Sequence, residues 1–180
     1  LVLFLLYKSY SRLVIKMEIK PTSTTTRILT TVINEKPMTF AYVIGEDISG
    51  TVCFYPYQGG TIMIYEINGL PKSSKDTGGI YAFHIHEGNT CINDTKVPYE
   101  KTKGHFNPNQ TQHPYHLGDL PPLFATKGMA WGMIYIDKFK PQDIVNRTLV
   151  IHEHPDDFHT QPSGNSGGKI ACGEIKFFSK

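Results

Sequence analysis

A chain of 180 residues can bury one substantial core and is short for two. Eighteen Lys and Arg stand against sixteen Asp and Glu, a net charge of +2, and the basic residues are scattered, so no stripe exists for nucleic acid to follow. Gly, Pro, Thr and Tyr are abundant and no long stretch carries helical periodicity, which favours β structure.

The chain opens on "LVLFLLYKSYSRLVIKM", six apolar residues followed by a basic run without Asp or Glu. A secretory signal puts its basic residues first, and no small-residue cleavage site follows. The apolar run is also too short and too interrupted to span a membrane. Residues 1–16 are expected to be a leader or upstream remnant outside the fold, with Met17 the first available start. Removing them leaves fifteen basic residues against sixteen acidic ones. Residues 17–37, including the Thr-rich "PTSTTTRILTTV", read as an N-terminal extension, and residues 38–180 as the folded domain. There "MTFAYVIG", "SGTVCFYP" and "TIMIYEIN" read as strands, with "GED" and "YQGG" as the turns between them. Short strands at this spacing suggest an antiparallel sandwich or barrel. "YAFHIHE" follows as a strand. From Gly88 to about Lys127 there is no periodicity, and loops of that length in compact domains are usually functional. "MAWGMIYI", "TLVIHEH" and "IACGEIKFF" close the domain as strands, the last two separated by the irregular "PDDFHTQPSGNSGGK".

All eight histidines lie between residues 84 and 159. In "YAFHIHEGNTC", Phe83 and Ile85 would face a core while His84 and His86 share the opposite face. That pair by itself fits a shared metal ion or an exposed edge equally well. The long loop reads "GHFNPNQTQHPYHLGDL", in which His105, His113, His116 and Asp119 form H-x7-H-x2-H-x2-D. Three imidazoles and a carboxylate complete a tetrahedral zinc set with no position left for water, so such a site is structural and would order the loop. His84, His86 and His152 are then left on strands for a second metal, of a kind that suits Cu, Zn or Fe. His105 could serve both ions through opposite ring nitrogens. Cys53 reads as a small buried hydrophobe. Cys91 and Cys172 flank the irregular loops, and a bridge between them would close a long loop.

Five motifs in order, "FHIHEG…C", "GHFNP", "HPYHLGDLPPLFA", "RTLVIHEHPDDF" and "QPSGNSGGKIACG", resemble the Cu/Zn superoxide dismutase family in its bacterial-type loop pattern. The resemblance spans roughly residues 38 to 178. It implies an eight-stranded antiparallel Greek-key β-sandwich or barrel of immunoglobulin-like type, with a long metal-binding loop and an electrostatic loop. It implies copper ligands His84, His86, His105 and His152, zinc ligands His105, His113, His116 and Asp119, and an imidazolate bridge at His105. Asp156 matches a carboxylate tying His84 to His113, and Cys91 with Cys172 match an intrasubunit disulfide. Gly167 and Gly168 precede Lys169, where the family usually carries an active-site arginine. Lysine is a compact, well-hydrated charge without the planar fork, so anion attraction should survive with looser orientation.

The implied function is dismutation of superoxide to O₂ and H₂O₂ by a copper alternately reduced and reoxidised, beside a structural zinc and without an organic cofactor. Two other readings stay open: a copper-storage or structural protein on the same fold, and a zinc hydrolase built on His84, His86 and His152. Many members of the family are homodimers and some bacterial-type ones are monomers, so the resemblance favours a homodimer, and the short apolar run gives no stable membrane span. Compartment stays divided between a secreted or periplasmic protein, if residues 1–16 are a leader remnant, and a cytosolic or virion-associated one. His154 and His159 read as solvent-facing. Asn93, Asn109 and Asn146 open glycosylation sequons by pattern alone.

Overall fold

The computed structural model describes residues 23–71 and 78–179, so the expected leader at 1–16 lies outside the described residues. The element order is helix α1 (Thr24–Asn34), then strands β1 (Thr39–Gly45), β2 (Ser49–Tyr57), β3 (Gly60–Asn68), β4 (Ile80–Tyr81) and β5 (Phe83–His86). After the long loop come β6 (Leu123–Phe124), β7 (Ala130–Ile136), β8 (Thr148–His152), β9 (Lys169–Glu174) and β10 (Lys176–Phe177). Eight strands form one curled antiparallel sheet in the order β5-β8-β9-β1-β2-β3-β7, with β10 also pairing β1, while β4 and β6 make a small second ladder. The fold is all-β, as the strand spacing and the resemblance imply. No helix among the described residues is long and apolar enough to cross a membrane.

Alternation of side chains decides what the curl encloses. Thr39, Ala41 and Val43 of β1 point inward and are fully buried, as are Val52 and Phe54 of β2 and Met63 and Ile67 of β3. Phe83 and Ile85 of β5 and Leu149 and Ile151 of β8 complete the same core from across the barrel. The β2–β3 hairpin closes through Gln58 and Gly59 with φ of 45° and 84°, between the paired Tyr57 and Gly60. Positive φ at both central residues matches the right-handed twist of the flanking strands.

Helix α1 is the element that strand-oriented reading of the extension does not anticipate. The Ser23 side chain caps the Thr26 N–H at 3.1 Å, and the Thr30 and Thr31 hydroxyls bond back to Thr26 and Arg27 carbonyls one turn earlier. Threonine and isoleucine are poor helix formers, so the composition of "TTTRILTTVIN" masks the helix. Ile28 and Val32, one turn apart, are half-buried where α1 lies against β2.

Two long segments cover the outward face of β5 and β8. The first, residues 87–122, pairs with the free edge of β5: Ile85 exchanges backbone bonds with Phe106 and Gly118 at 2.8 and 2.9 Å. A β-carbon at Gly118 would collide with the Ile85 carbonyl, so only glycine allows this approach. The second segment, residues 153–168, folds over the end of β8. Gln161 accepts from the His113 N–H at 3.0 Å and donates to its carbonyl at 2.7 Å, joining the two segments. Cys91 is bonded to Cys172 of β9, 81 positions away, and Cys53 is a half-buried free thiol. In the loop-entropy account a closure of that length stabilises by about 4–5 kcal/mol. Replacing both bridge cysteines with serine should therefore lower stability by about 2–5 kcal/mol in denaturant melts, and unreduced denatured protein should show one reactive thiol per chain.

Candidate metal centre

The outward row of β5 carries His84 and His86, and both are buried, at 0% and 2% exposure. The exposed-edge reading of this pair is thereby excluded, because the long loop covers the strand. His152 ends β8 beside them, where the β8–β9 register shifts and sets Lys169 opposite it. His105 is bridged to His86 from the loop, and Asp119 to His84.

Two groups of four side chains result, one of His84, His86, His105 and His152, the other of His105, His113, His116 and Asp119. In each, four potential ligand atoms lie within 4.8 Å of one another. In the first group, His86 Nε2 sits 3.2 Å from His152 Nε2, and the buried His84 Nδ1 and His105 Nε2 have no hydrogen-bond partner. In the second, His105 Nδ1 is 2.7 Å from Asp119 Oδ1 and 3.4 Å from His116 Nδ1, while His113 Nδ1 lies 3.1 Å from Asp119 Oδ2. His105 alone belongs to both groups, one nitrogen to each.

The rear nitrogens explain the tautomers. His84 Nε2 and His113 Nε2 contact the two oxygens of Asp156 at 2.7 and 2.8 Å. His86 Nδ1 donates to the Lys103 carbonyl at 2.9 Å. His152 Nδ1 lies 3.3 Å from Ser166 Oγ and 3.4 Å from the Gly167 carbonyl. With the outer N–H engaged, each inner nitrogen presents a lone pair to its group, which is how ligating imidazoles are fixed. Converging buried lone pairs without donors are costly unless a cation sits between them. The residues fit two metal ions. Gly164, at φ 65°, lets the second segment close over Asp156, since a β-carbon there would strike the carboxylate and the His113 ring.

Burial disfavours the protonated form of four of the imidazoles, His84, His86, His116 and His152. It pushes His152 down to about 3, and His86 is driven well below the usual imidazole range by burial and by His152 and His105 beside it. His84 is lowered by burial, against the opposing pull of Asp156, and His116 is lowered chiefly by burial. Burial opposes ionisation of Asp119 and Asp156, but hydrogen bonds from His105 and His84 respectively lead the effects that hold both below the ordinary carboxylate value.

A cavity of about 380 Å³ opens onto His86, His105, His116 and His152. Lys169 lines it, half-buried, with Nζ donating to Thr102 Oγ1 at 2.7 Å, the Lys103 carbonyl at 2.9 Å and the Tyr99 carbonyl at 3.4 Å. Burial lowers its pKa, and Glu100 counters that. The histidines and Asp119 singled out from the motifs thus fall in the two groups, Asp156 joins the groups from behind and Lys169 lines the cavity, while His154 and His159 are exposed outside them. Sequence reasoning misses Ser166, Gln161 and the carbonyls of Lys103 and Gly167. Backbone acceptors leave no residue-type signal, and Ser166 and Gln161 lie in an irregular segment without periodicity.

Residues 48–175 match the family described as copper/zinc superoxide dismutase. The chain belongs to that family. A superoxide dismutase [Cu-Zn] of Deinococcus radiodurans is 30% identical over 145 residues, covering 70% of this chain and 76% of that protein. One from Legionella pneumophila is 33% identical over 135 residues, covering 71% and 77%. The solved structure of the Cu/Zn superoxide dismutase from Brucella abortus superposes with a TM-score of 0.64 at 28% identity, covering 77% of this chain and 99% of that one. Copper and zinc are the cofactors of a Cu/Zn superoxide dismutase, superoxide is its substrate, and the two side-chain groups are compatible with that pair of metals.

Neutral histidines at low pKa carry a sign for stability. Unfolded imidazoles titrate near 6.5, so between that value and the folded one the unfolded chain binds more protons. Metal-stripped protein should hold its full stability above pH about 6.5 and lose it progressively as pH falls toward 3. Thermal melts across that range check this, and a flat profile would contradict the burial of neutral rings.

Proposed function

We infer that the chain dismutes superoxide at the His86–His105–His152 end of the cavity. His84, His86, His152 and His105 Nε2 would hold copper, and His105 Nδ1, His113, His116 and Asp119 would hold zinc. The observation that carries this reading is His105, whose two ring nitrogens face two separate four-residue groups. Copper supplies a centre that one superoxide can reduce and the next can oxidise, and zinc, which has no redox chemistry, supplies fixed charge.

The residues account for the remaining needs of the reaction. Two superoxide anions and two protons give one O₂ and one H₂O₂. His105 Nε2 is a candidate to hold one of those protons, because Nδ1 is engaged with Asp119 and the ring borders the cavity. Asp156 fixes His84 and His113 together, so the two groups keep their spacing. Lys169 brings positive potential to a cavity walled by protein, where one close charge outweighs several distant ones. Its three loop acceptors hold the ammonium at the rim, so a lysine in the arginine position is oriented despite lacking a fork.

Metal content measured alongside superoxide-dependent activity tests the reading. We expect one copper and one zinc per chain, and His105→Ala should change the copper spectrum and abolish most activity. Unchanged spectra would refute a shared His105. Superoxide dismutases work near the encounter limit, about 10⁸–10⁹ M⁻¹s⁻¹. Lys169→Ala should therefore slow the reaction severalfold at low ionic strength, with both metals retained, and should flatten its dependence on salt. A copper-bearing protein without activity would favour the storage reading instead.

Pairing of two copies is the second part of the proposal. Antiparallel sheets with one wet face ordinarily alternate apolar and polar residues. Here the outward rows of β1-β2-β3-β7 run Tyr42–Thr51–Glu66–Trp131 and Phe40–Cys53–Ile64–Met133. Tyr42 and Trp131 are 64% and 62% exposed. Exposed apolar faces of this kind support association. Sedimentation should give twice the 20.3 kDa chain mass, and a monomer at micromolar concentration would exclude it.

A further inference from the structure

We propose that Lys103 is a second steering cation at the cavity mouth, held in a conformation suited to glycine because its charge is needed there. This rests on the dismutase reading of the same cavity. Lys103 follows the 3₁₀ turn Glu100–Thr102 with φ 63° and ψ −149°, a region that a β-carbon disfavours and that glycine occupies freely. Its N–H bonds the Glu100 carbonyl at 3.0 Å. Its own carbonyl accepts from two donors, His86 Nδ1 and Lys169 Nζ, each at 2.9 Å.

Those two hydrogen bonds explain how the backbone stays in the disfavoured region: a rotation of ψ to relieve it would strip the rear partner from His86 and one anchor from Lys169. They do not explain the residue type, because glycine would supply the same carbonyl at less cost. What lysine adds is a charged side chain on an exposed residue that borders the cavity with Lys169, His105 and Gly104. Lys101, two residues earlier, is already neutralised by Asp94 at 2.7 Å, whereas no carboxylate lies within ion-pair distance of Lys103 among the described residues. An anion approaching His105 therefore meets two lysines at the cavity mouth, one anchored by loop acceptors and one without a carboxylate partner. In a low-dielectric mouth their fields are focused on the entrance.

The test compares Lys103→Gly and Lys103→Gln with the parent, all loaded with copper and zinc and matched for metal content. Lys103→Gly should raise the melting temperature by about 2–4 °C through relief of backbone strain, while Lys103→Gln should leave it unchanged. Both should slow the reaction with superoxide about two- to fivefold at low ionic strength, and the difference should vanish in about 1 M salt. Lys103→Arg should match the parent. Parent-like rates for Lys103→Gln at low ionic strength would overturn the steering role, and an unchanged or lowered melting temperature for Lys103→Gly would overturn the strain. An inactive parent with both metals bound would instead remove the dismutase reading, and this inference with it.

Discussion

Six imidazoles and one carboxylate share a largely buried space, organised around a single ring that serves both halves, and most of the surrounding structure answers that constraint. Neutral histidines tolerate burial only when each nitrogen has a use. The fold gives the outer nitrogens of four of these rings a hydrogen-bond partner: Asp156 for His84 and His113, the Lys103 carbonyl for His86, and Ser166 with Gly167 for His152. The inner nitrogens are left with lone pairs that only cations satisfy well. His105 is the exception that couples the halves, since both of its nitrogens are inner ones.

This arrangement makes the two irregular segments as necessary as the barrel. Strands β5 and β8 supply three of the histidines from a rigid sheet, but every other group comes from a segment with no ladder of its own. Those segments gain order from edge pairing along Ile85, from the Gln161 clasp on His113, and from the Cys91–Cys172 bond to β9. Arg147 adds a further tie, donating to the Glu87 carbonyl at 3.0 Å and lying over the Phe106 ring at 4.6 Å. Asp156 then joins one segment to the other through the two histidines it holds.

The charge pattern follows the same division. Burial disfavours protonation of His84, His86, His116 and His152, whereas the lysines stand at the rim of the cavity. Placing Lys169 opposite His152 depends on the register shift at the end of β8, and its anchoring depends on the turn at residues 100–103. A small anion thus meets cations first and imidazoles second.

Much of this was legible in the residues. The alternation around Phe83 and Ile85 set the face on which His84 and His86 stand, the spacing from His105 to Asp119 described a four-ligand set, and the strand runs marked the sheet. These readings succeed because period-two patterning and ligand chemistry are local properties of sequence. The helix at Thr24–Asn34 was not legible, because its stability comes from a Ser23 cap and from Ile28 and Val32 resting on β2, against the propensity of its threonines. Nor could sequence choose between an exposed histidine pair and a buried one, since burial of His84 and His86 is decided by a loop some twenty to thirty residues away. The chain by itself determined which side chains were available and which face of each strand they would take. Only the tertiary structure decided their convergence, the tautomers set by backbone carbonyls at Lys103 and Gly167, and the use of both nitrogens of His105, because each depends on contacts between segments far apart in the chain.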